Sequence, residues 1–296
     1  MILAEKTLQA IHDTMLADQG GRFREFLGKV IPHMADAYRG QEDGRRTHLG
    51  ASMIGRDCAR DIWYGFRWAT VTKHDPRILR LFNRGHLEEA RFIALLLSIG
   101  VAVYQQDANG NQFRISDVGG HFGGSGDGVA LGIPDVDAGT YCLLEFKTHG
   151  VKSFAKLKEG GVQIAKPEHY TQMQIYMRKF GLPVALYGAV CKDTDELHFE
   201  IVYLQPMHAD QFLDRGRQIV MLREAPKRIS EKSSFFKCTF CDHKQTCHHD
   251  APMAVSCRSC YHVKVDVENG GWVCGQSGLV LTKEDQMNAC KDYIAL

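Results

Sequence analysis

The chain has 296 residues, of which 44% are hydrophobic and 24% charged, with a formal net charge of +1. This is ordinary for a soluble globular protein and long enough for one large domain, or a main domain with an appendage, around a sizeable core. The near-neutral balance excludes whole-molecule attraction to nucleic acid, so any such attraction must be local.

From residue 3 to about 40 the apolar spacing predicts two amphipathic helices broken at Gly20-Gly21. A polar linker follows over Gly40 to Gly50, with Gly44 inside it. Glu5, Lys6, His12 and Asp13 interrupt the apolar positions of Met1 to Leu16, which rules out a signal-peptide run there. No stretch approaches the length of a transmembrane helix, and a cytoplasmic setting is expected. Ser52 to Trp68 reads as a dense helical segment, and His74-Asp75-Pro76 punctuates it from a strong helix over Arg77 to Ile99. Leu81, Leu87, Phe92, Leu95 and Leu96 are that helix's apolar stripe, and Gly100 ends it.

Short strands are expected at Val101 to Tyr104, Phe113 to Ile115, Gly126 to Leu131 and Tyr141 to Lys147, the last two joined by a turn over Ile133 to Gly139. Pro167 suits the first position of a helix running to about Phe180. Val184 to Val190 and Leu197 to Leu204 read as strands, and His208 to about Arg223 as a polar helix. The fold class is therefore α/β: a central mixed sheet flanked by helices, with helices before it and a cysteine-rich tail after it.

The chemistry concentrates at Glu145-Phe146-Lys147, which closes the apolar run Tyr141-Cys142-Leu143-Leu144. On a strand, residues two apart share a face, so Glu145 and Lys147 project together. Asp127 lies in the preceding strand candidate, and Gln172 and Tyr176 stand one turn apart on the following helix. An Asp, a Glu and a Lys converging on one sheet edge can hold a hard divalent cation and activate water beside it. Locally basic stretches support a phosphate-bearing substrate: Lys147 to Lys179 holds seven Lys/Arg against two Asp/Glu.

Gly126-Asp127-Gly128-Val129, then Ile133-Pro134-Asp135, then Leu143-Leu144-Glu145-Phe146-Lys147-Thr148 resemble the PD-(D/E)XK nuclease superfamily, in its RecB-like branch. Gln172-x-x-x-Tyr176 resembles that branch's helical motif, and Arg84-Gly85-His86-x-x-Glu89 its first motif. The resemblance spans roughly Ser52 to His249 and implies a restriction-endonuclease-like core. It also implies a metal-dependent DNA exonuclease that hydrolyses phosphodiester bonds, in the manner of phage exonucleases and CRISPR-adaptation nucleases. Phage or prophage recombination or replication would be its setting, in the host cytoplasm.

Asp127, Glu145, His86 and the Phe146 backbone carbonyl are the implied ligands of Mg²⁺ or Mn²⁺, with Glu89 reading equally as a ligand or a salt-bridge partner. Lys147 would orient or deprotonate the attacking water, and Gln172 and Tyr176 would position water or the strand. Pro134-Asp135 is the literal Pro-Asp, but it falls in the turn, so Asp127 is taken as the ligand and Asp135 as a turn residue.

Ten cysteines in such a chain argue for metal ligation before disulfides. Relatives in the branch carry an iron–sulfur cluster, with one Cys before the nuclease core and three after it. Cys58 with Cys238-x2-Cys241-x5-Cys247 resembles that pattern and implies a [4Fe–4S] cluster. Cys257-x2-Cys260-x13-Cys274-x15-Cys290 then has the look of a ribbon-like module holding Zn²⁺. A competing set, Cys238, Cys241, Cys257 and Cys260, fits generic zinc-ribbon spacing at least as well. Cys142 and Cys191 read as buried thiols.

The expected segments are thus 1–50, helical with a linker; 51–250, the nuclease domain; and 251–296, the zinc module. DNA is the expected partner, with a single-strand annealing or other recombination protein and self-association also allowed. Three other readings stay open: an endonuclease; a catalytically inactive nuclease fold that grips nucleic acid; and a zinc deaminase, although neither His86-Leu87-Glu88 nor His198-Phe199-Glu200 is followed by the Pro-Cys-x-x-Cys such an enzyme needs. Trp63, Tyr64, Phe66 and Trp68 are expected mostly to pack around Cys58, with base stacking as the alternative.

Overall fold

The computed structural model describes residues 1–34, 37 and 45–296. Its elements run α1 (Glu5–Asp18), α2 (Gly21–Val30), β1 (Leu49–Gly50), α3 (Ala51–Ile54), α4 (Ala59–Phe66), α5 (Pro76–Ser98), β2 (Ala102–Tyr104), β3 (Arg114–Asp117), β4 (Phe122–Ser125), β5 (Gly128–Leu131) and β6 (Tyr141–His149). There follow α6 (Val151–Ala165), α7 (Pro167–Phe180), β7 (Val184–Cys191), β8 (Leu197–Tyr203), α8 (Pro206–Met221), α9 (Phe236–Thr239), α10 (Lys244–His248), β9 (Val263–Val265), β10 (Trp272–Cys274), β11 (Val280–Leu281) and α11 (Lys283–Met287). The polar linker expected from Gly40, with Gly44 in it, lies outside the described residues up to position 44. No described helix is long and apolar enough to cross a membrane.

The chain divides into two compact units, each drawn from three stretches of sequence. Met1–Gln41, His74–Ile115 and Ser125–Asp210 make the first; Glu42–Lys73, Ser116–Gly124 and Gln211–Leu296 make the second.

The first unit is a mixed α/β structure around a five-stranded sheet of order β2-β5-β6-β7-β8. Strands β6 and β7 run parallel and every other pair is antiparallel. A parallel pair needs a crossover, and α6 and α7 supply it. Alternation along β6 gives the sheet two unlike faces. Cys142, Leu144 and Phe146 point into an apolar core with Leu186, Val190, Phe199 and Ile201 of the neighbouring strands and Phe92 of α5. The rings of Phe92 and Phe146 stack there at 4.8 Å. Glu145, Lys147 and His149 take the opposite face by the same alternation, and Gln172 of α7 reaches Glu145 there.

Helix α5 starts where the sequence says it must. Asp75 accepts from the backbone N–H groups of Arg77 at 2.8 Å and Ile78 at 3.1 Å, with Pro76 at the first helical position. Gly100 ends it at φ 87°. Pro167 begins α7 as the sequence predicts.

Among the departures from the sequence expectation, which include the unforeseen strands β1 and β4, two have a clear local cause. The segment read as one helix over Ser52 to Trp68 is split into α3 and α4, because Cys58 adopts extended backbone and its thiol accepts from Asp61 N–H at 3.4 Å. Helix α6 was not foreseen. Gly160-Gly161 hides it, since glycine lowers helix propensity, and Gly161 sits at φ 70° inside the element and kinks it. A Cβ at Gly161 would come within 2.9 Å of Met1 and 3.0 Å of Glu200 Oε2. Beyond the kink, Glu200 accepts from Val162 N–H with both carboxylate oxygens, at 2.9 and 3.1 Å, and caps the restarted helix.

The second unit has little regular structure. Strand β1 pairs in parallel with β4, and β9, β10 and β11 form a small antiparallel sheet. Beside buried Ile54, Ile62, Phe122, Ile219 and Val220, its interior holds tryptophans and arginines in alternation. Arg67 lies 5.5 Å from the Trp63 ring and 5.1 Å from Trp272; Arg258 lies 4.6 Å from Trp272 and 4.0 Å from Trp68. Trp63, Tyr64, Phe66 and Trp68 are all buried, which removes the base-stacking alternative for them.

Candidate active site

Asp127, Glu145 and Lys147 come together through the hairpin of β5 and β6. Gly128 pairs with Leu144, which places Asp127 beside the Glu145–Phe146 peptide. Asp127 Oδ2 accepts from Phe146 N–H at 2.7 Å. Gly128 is required at this point: its φ is 150°, and a Cβ would lie 2.9 Å from the Tyr104 carbonyl oxygen. The glycine after Asp127 therefore lets the strand start close enough to β2 to fix the carboxylate.

Lys147 Nζ donates to Glu145 Oε1 and, at 3.3 Å, to the Phe146 carbonyl oxygen. Gln172 Nε2 donates to the other Glu145 oxygen at 3.1 Å. Burial pushes the Asp127 carboxyl well above its ordinary range, and Glu145 adds to the push. Glu145 is likewise raised, chiefly by burial. For Lys147 burial pulls downward, but Glu145 and Asp127 outweigh it and the ammonium is held more tightly than usual. Two buried carboxylates against one lysine leave an excess of negative charge in a low-dielectric site. Two carboxylates and a peptide carbonyl are hard oxygen donors, so the set fits a hard divalent cation.

The remaining predicted residues take unequal places. Glu89 of α5 lies within the electrostatic reach of Asp127, Glu145 and Lys147. His86 Nδ1 stands 3.7 Å from Glu89 Oε1 on the same helix. Tyr176 is buried on α7, its ring 6.0 Å from Phe180. Asp135 does not join the group. Its carboxylate accepts from the N–H groups of Lys6 and Thr7 at 3.0 and 2.7 Å, and from Thr7 Oγ1, so it caps α1 from the β5–β6 turn. Among the described residues, no three His, Cys, Asp or Glu side chains gather closely enough to hold a metal ion.

Sequence reasoning missed a polar layer on the same sheet face. Glu145, Tyr187 and Glu200 are cross-strand partners on β6, β7 and β8. The Tyr187 hydroxyl lies 2.9 Å from His149 Nε2 and 3.0 Å from His169 Nδ1. His149 Nδ1 lies 3.1 Å from Ser153 Oγ, and His198 Nε2 lies 2.7 Å from Glu200 Oε1. Burial, with Lys166 and Lys147 nearby, lowers His149 to about 4; burial, with Lys147 nearby, lowers His169 to about 2. Both imidazoles are therefore neutral. The available signal was register: His149 is two residues beyond Lys147 on one strand face, and His169 is three before Gln172 on one helix face.

All ten cysteines are free, and Cys142 and Cys191 are buried in β6 and β7. The eight others lie in the second unit. Cys241 Sγ donates to Asp61 Oδ1 at 3.2 Å, the residue whose N–H the Cys58 thiol accepts. Burial raises Cys238, and Cys58 and Cys247 raise it further. Burial pushes Cys257 up to about 11, with Cys260, Cys290 and Cys274 adding to it. The thiols thus feel one another's charge as Cys58, Cys238, Cys241 and Cys247, and as Cys257, Cys260, Cys274 and Cys290.

No family model matches the sequence, and no curated protein matches it. Solved structures do. The crystal structure of SSO0001 matches at TM-score 0.43 and 15% identity, over 77% of this chain and 97% of that one. An alkaline exonuclease (LHK-Exo) from Laribacter hongkongensis matches at TM-score 0.43 and 16% identity, over 60% of this chain and 87% of its own. The same exonuclease in complex with dAMP matches at TM-score 0.42 and 13% identity, with the same coverage of both chains. Similarity this remote transfers no activity, so function rests on the chain's own residues.

Proposed function

We propose that the chain is a metal-dependent deoxyribonuclease, an exonuclease acting on DNA ends. The observation that carries the reading is the buried group of Asp127, Glu145 and Lys147, with Gln172 bonded to Glu145. Asp127, Glu145 and the Phe146 carbonyl would hold Mg²⁺ or Mn²⁺, with His86 and Glu89 approaching from α5. A cation there would supply positive charge for the phosphate and for the attacking water. Lys147, which keeps its proton, donates hydrogen bonds to a phosphate oxygen and stabilises the charge that grows on it. Gln172 fixes the Glu145 carboxylate, and Tyr176 packs the helix that carries Gln172.

We further propose a [4Fe–4S] cluster on Cys58, Cys238, Cys241 and Cys247, and Zn²⁺ on Cys257, Cys260, Cys274 and Cys290. The two sets of mutually interacting thiols support that partition over one joining Cys238 and Cys241 to Cys257 and Cys260. Uncrosslinked thiols are soft donors suited to both groups. In this reading residues 51–250 carry the nuclease chemistry and 251–296 the zinc module. The cellular role is phage or prophage recombination or replication, beside a single-strand annealing or other recombination protein and as a homo-oligomer.

The test is digestion of end-labelled linear DNA and a matched circle, with Mg²⁺ or Mn²⁺, by wild type and Lys147→Ala purified without oxygen. Cleavage of the linear form alone, lost in the variant, supports the reading. Cleavage of both forms makes it an endonuclease. No cleavage by folded, metal-loaded protein makes it a nucleic-acid-binding protein on a nuclease fold.

A further inference from the structure

We propose that His169 is a substrate-binding residue whose imidazole Nε2–H donates to a phosphate of the nucleic acid beside the scissile one, with Tyr187 and His149 as positioning residues that fix its orientation and tautomer. The proposal rests on the nuclease reading and deepens it.

The placement comes first. His169 lies one turn before Gln172 on α7, and Gln172 touches Glu145, so the same helix face carries both toward the candidate site. Lys147 lies near enough to His169 for their charges to interact, as does Lys166. A phosphate at this point would meet Lys147, Lys166 and His169 together. His169 is half-buried, and its Nε2 has no partner among the described residues, whereas Nδ1 is bonded to Tyr187.

The hydrogen-bond inventory then fixes what Nε2 can be. A tyrosine hydroxyl has one hydrogen to donate, and a neutral imidazole has one donor and one acceptor. Tyr187 lies between two neutral imidazoles, so it donates to one and accepts from the other. In one polarity Ser153 O–H donates to His149 Nδ1, His149 Nε2–H donates to Tyr187, and Tyr187 O–H donates to His169 Nδ1. Every polar atom of this hydrogen-bond chain is then satisfied, and His169 is left with an Nε2–H that has no acceptor among the described residues. The opposite polarity leaves a bare lone pair at Nε2 beside Lys147 and Lys166, and a lone pair repels a phosphate oxygen. An anion at this site selects the first polarity. A neutral donor there binds phosphate without adding a third cation next to the two lysines.

Binding is measured by anisotropy on the full chain, using a short fluorescein-labelled duplex with a single-stranded end and no added divalent cation. His169→Ala is expected to raise Kd about ten-fold while leaving the slope of log Kd against log salt unchanged, because no counterion-releasing charge is lost. His169→Gln, whose terminal amide reaches the Nε2 position, is expected to keep most of the affinity. In ¹⁵N spectra of the wild type, adding the duplex should drive His169 to a single neutral tautomer with its proton on Nε2. Tyr187→Phe should turn the signal into a tautomer mixture and weaken binding.

Unchanged Kd in His169→Ala, a salt slope shallower by about 0.7 to 0.9 in that variant (the mark of a lost cation), or a wild-type His169 whose Nε2 stays unprotonated with DNA bound would each overturn the proposal. Wild-type protein that binds no DNA at all overturns the nuclease reading and this proposal with it.

Discussion

In the first unit, a sheet with one aliphatic and aromatic face supports a layer of acids, imidazoles and a lysine on the other. In the second, short strands and helices surround alternating tryptophans and arginines and two groups of thiols. The first unit can bury Asp127, Glu145 and Lys147 because Phe92, Phe146, Leu186 and their neighbours already provide a core on the far side of the sheet. The second unit also buries Leu49, Ile54, Ile62, Phe122, Ile219 and Val220, and cation–aromatic packing and, on the reading above, metal–thiolate bonds add to its order. Reactive groups in the first unit are thus held by a fold that would exist without them. Those in the second are part of what makes the fold.

The largest expected effect tests that difference directly. Stripping metal with a strong chelator should unfold the second unit, since structural metal sites in small modules contribute on the order of 10 kcal/mol. Hydrogen exchange would read it: amides of β9, β10 and α10 lose protection, while those of β6 and β7 keep it. Equal loss in both units, or in neither, breaks the comparison. Next in size is Lys147→Ala, which should lower the cleavage rate about a thousand-fold and also lower the thermal midpoint, because it leaves the buried Glu145 and Asp127 carboxyls without their cation.

Asp127→Asn should abolish cleavage and stabilise the first unit. The Asp127 carboxyl is raised in the fold, so its contribution is favourable at low pH and is lost as pH rises through the unfolded value toward the folded one. Removing the charge removes that loss at neutral pH. A destabilised Asp127→Asn, measured by urea midpoint at pH 7, would show that the hydrogen bond to Phe146 N–H outweighs the buried charge.

The imidazoles give a smaller effect with the opposite pH sense. His149 falls from its ordinary 6.5 to about 4 because of burial first and Lys166 and Lys147 next. A group depressed in the fold contributes stability that is complete above the unfolded value and lost as pH falls toward the folded one. Stability of the first unit should therefore decline between pH 6.5 and about 4, by on the order of 3 kcal/mol for His149. His149→Gln should flatten the urea midpoint over that window, and an unchanged slope would remove His149 as its source.

Much of the first unit was legible because its elements carry strong local signals. Asp75-Pro76 announces α5 and Pro167 announces α7, each by a physical requirement at a helix start. The period-two reading of Glu145 and Lys147 placed both on one face, where the structure has them. What stayed hidden was set by distant partners. Asp135 caps a helix more than a hundred residues before it. Helix α6 survives its glycine pair because Glu200 caps the segment after Gly161. Tyr187 is one more apolar-strand aromatic in the sequence; only the hydrogen bonds from β6 and α7 show it between two histidines. The second unit was least legible, since β1 and β11 are two residues long and nothing local marks them.

The smallest effect separates two arginines that look alike. Arg258 is buried, yet its donors are met: Nε by Gln286 Oε1 at 2.8 Å, Nη2 by the Thr47 carbonyl at 2.7 Å, and Nη1 by the Phe66 carbonyl at 3.2 Å. Arg67 is equally buried, but only Nη2 has an acceptor, the Leu222 carbonyl at 2.8 Å, and its Nε and Nη1 have none among the described residues. Burial lowers Arg258 to about 9, with Arg67 adding to it, and burial lowers Arg67 to about 10, with Arg223 adding to it. Methionine keeps the length and the contact with the tryptophan rings while removing charge and donors. Arg258→Met strands two buried acceptors, Gln286 Oε1 and the Phe66 carbonyl, and should cost about 2 to 3 kcal/mol. Arg67→Met strands none, since Trp63 Nε1 still donates to the Leu222 carbonyl at 3.0 Å, and it relieves two unmet donors, so it should stay within about 1 kcal/mol of wild type. Urea midpoints of the two variants, followed by tryptophan fluorescence of the second unit, decide the matter. Equal losses would mean that the cation–aromatic stack, which both substitutions remove, outweighs the hydrogen bonds that distinguish them.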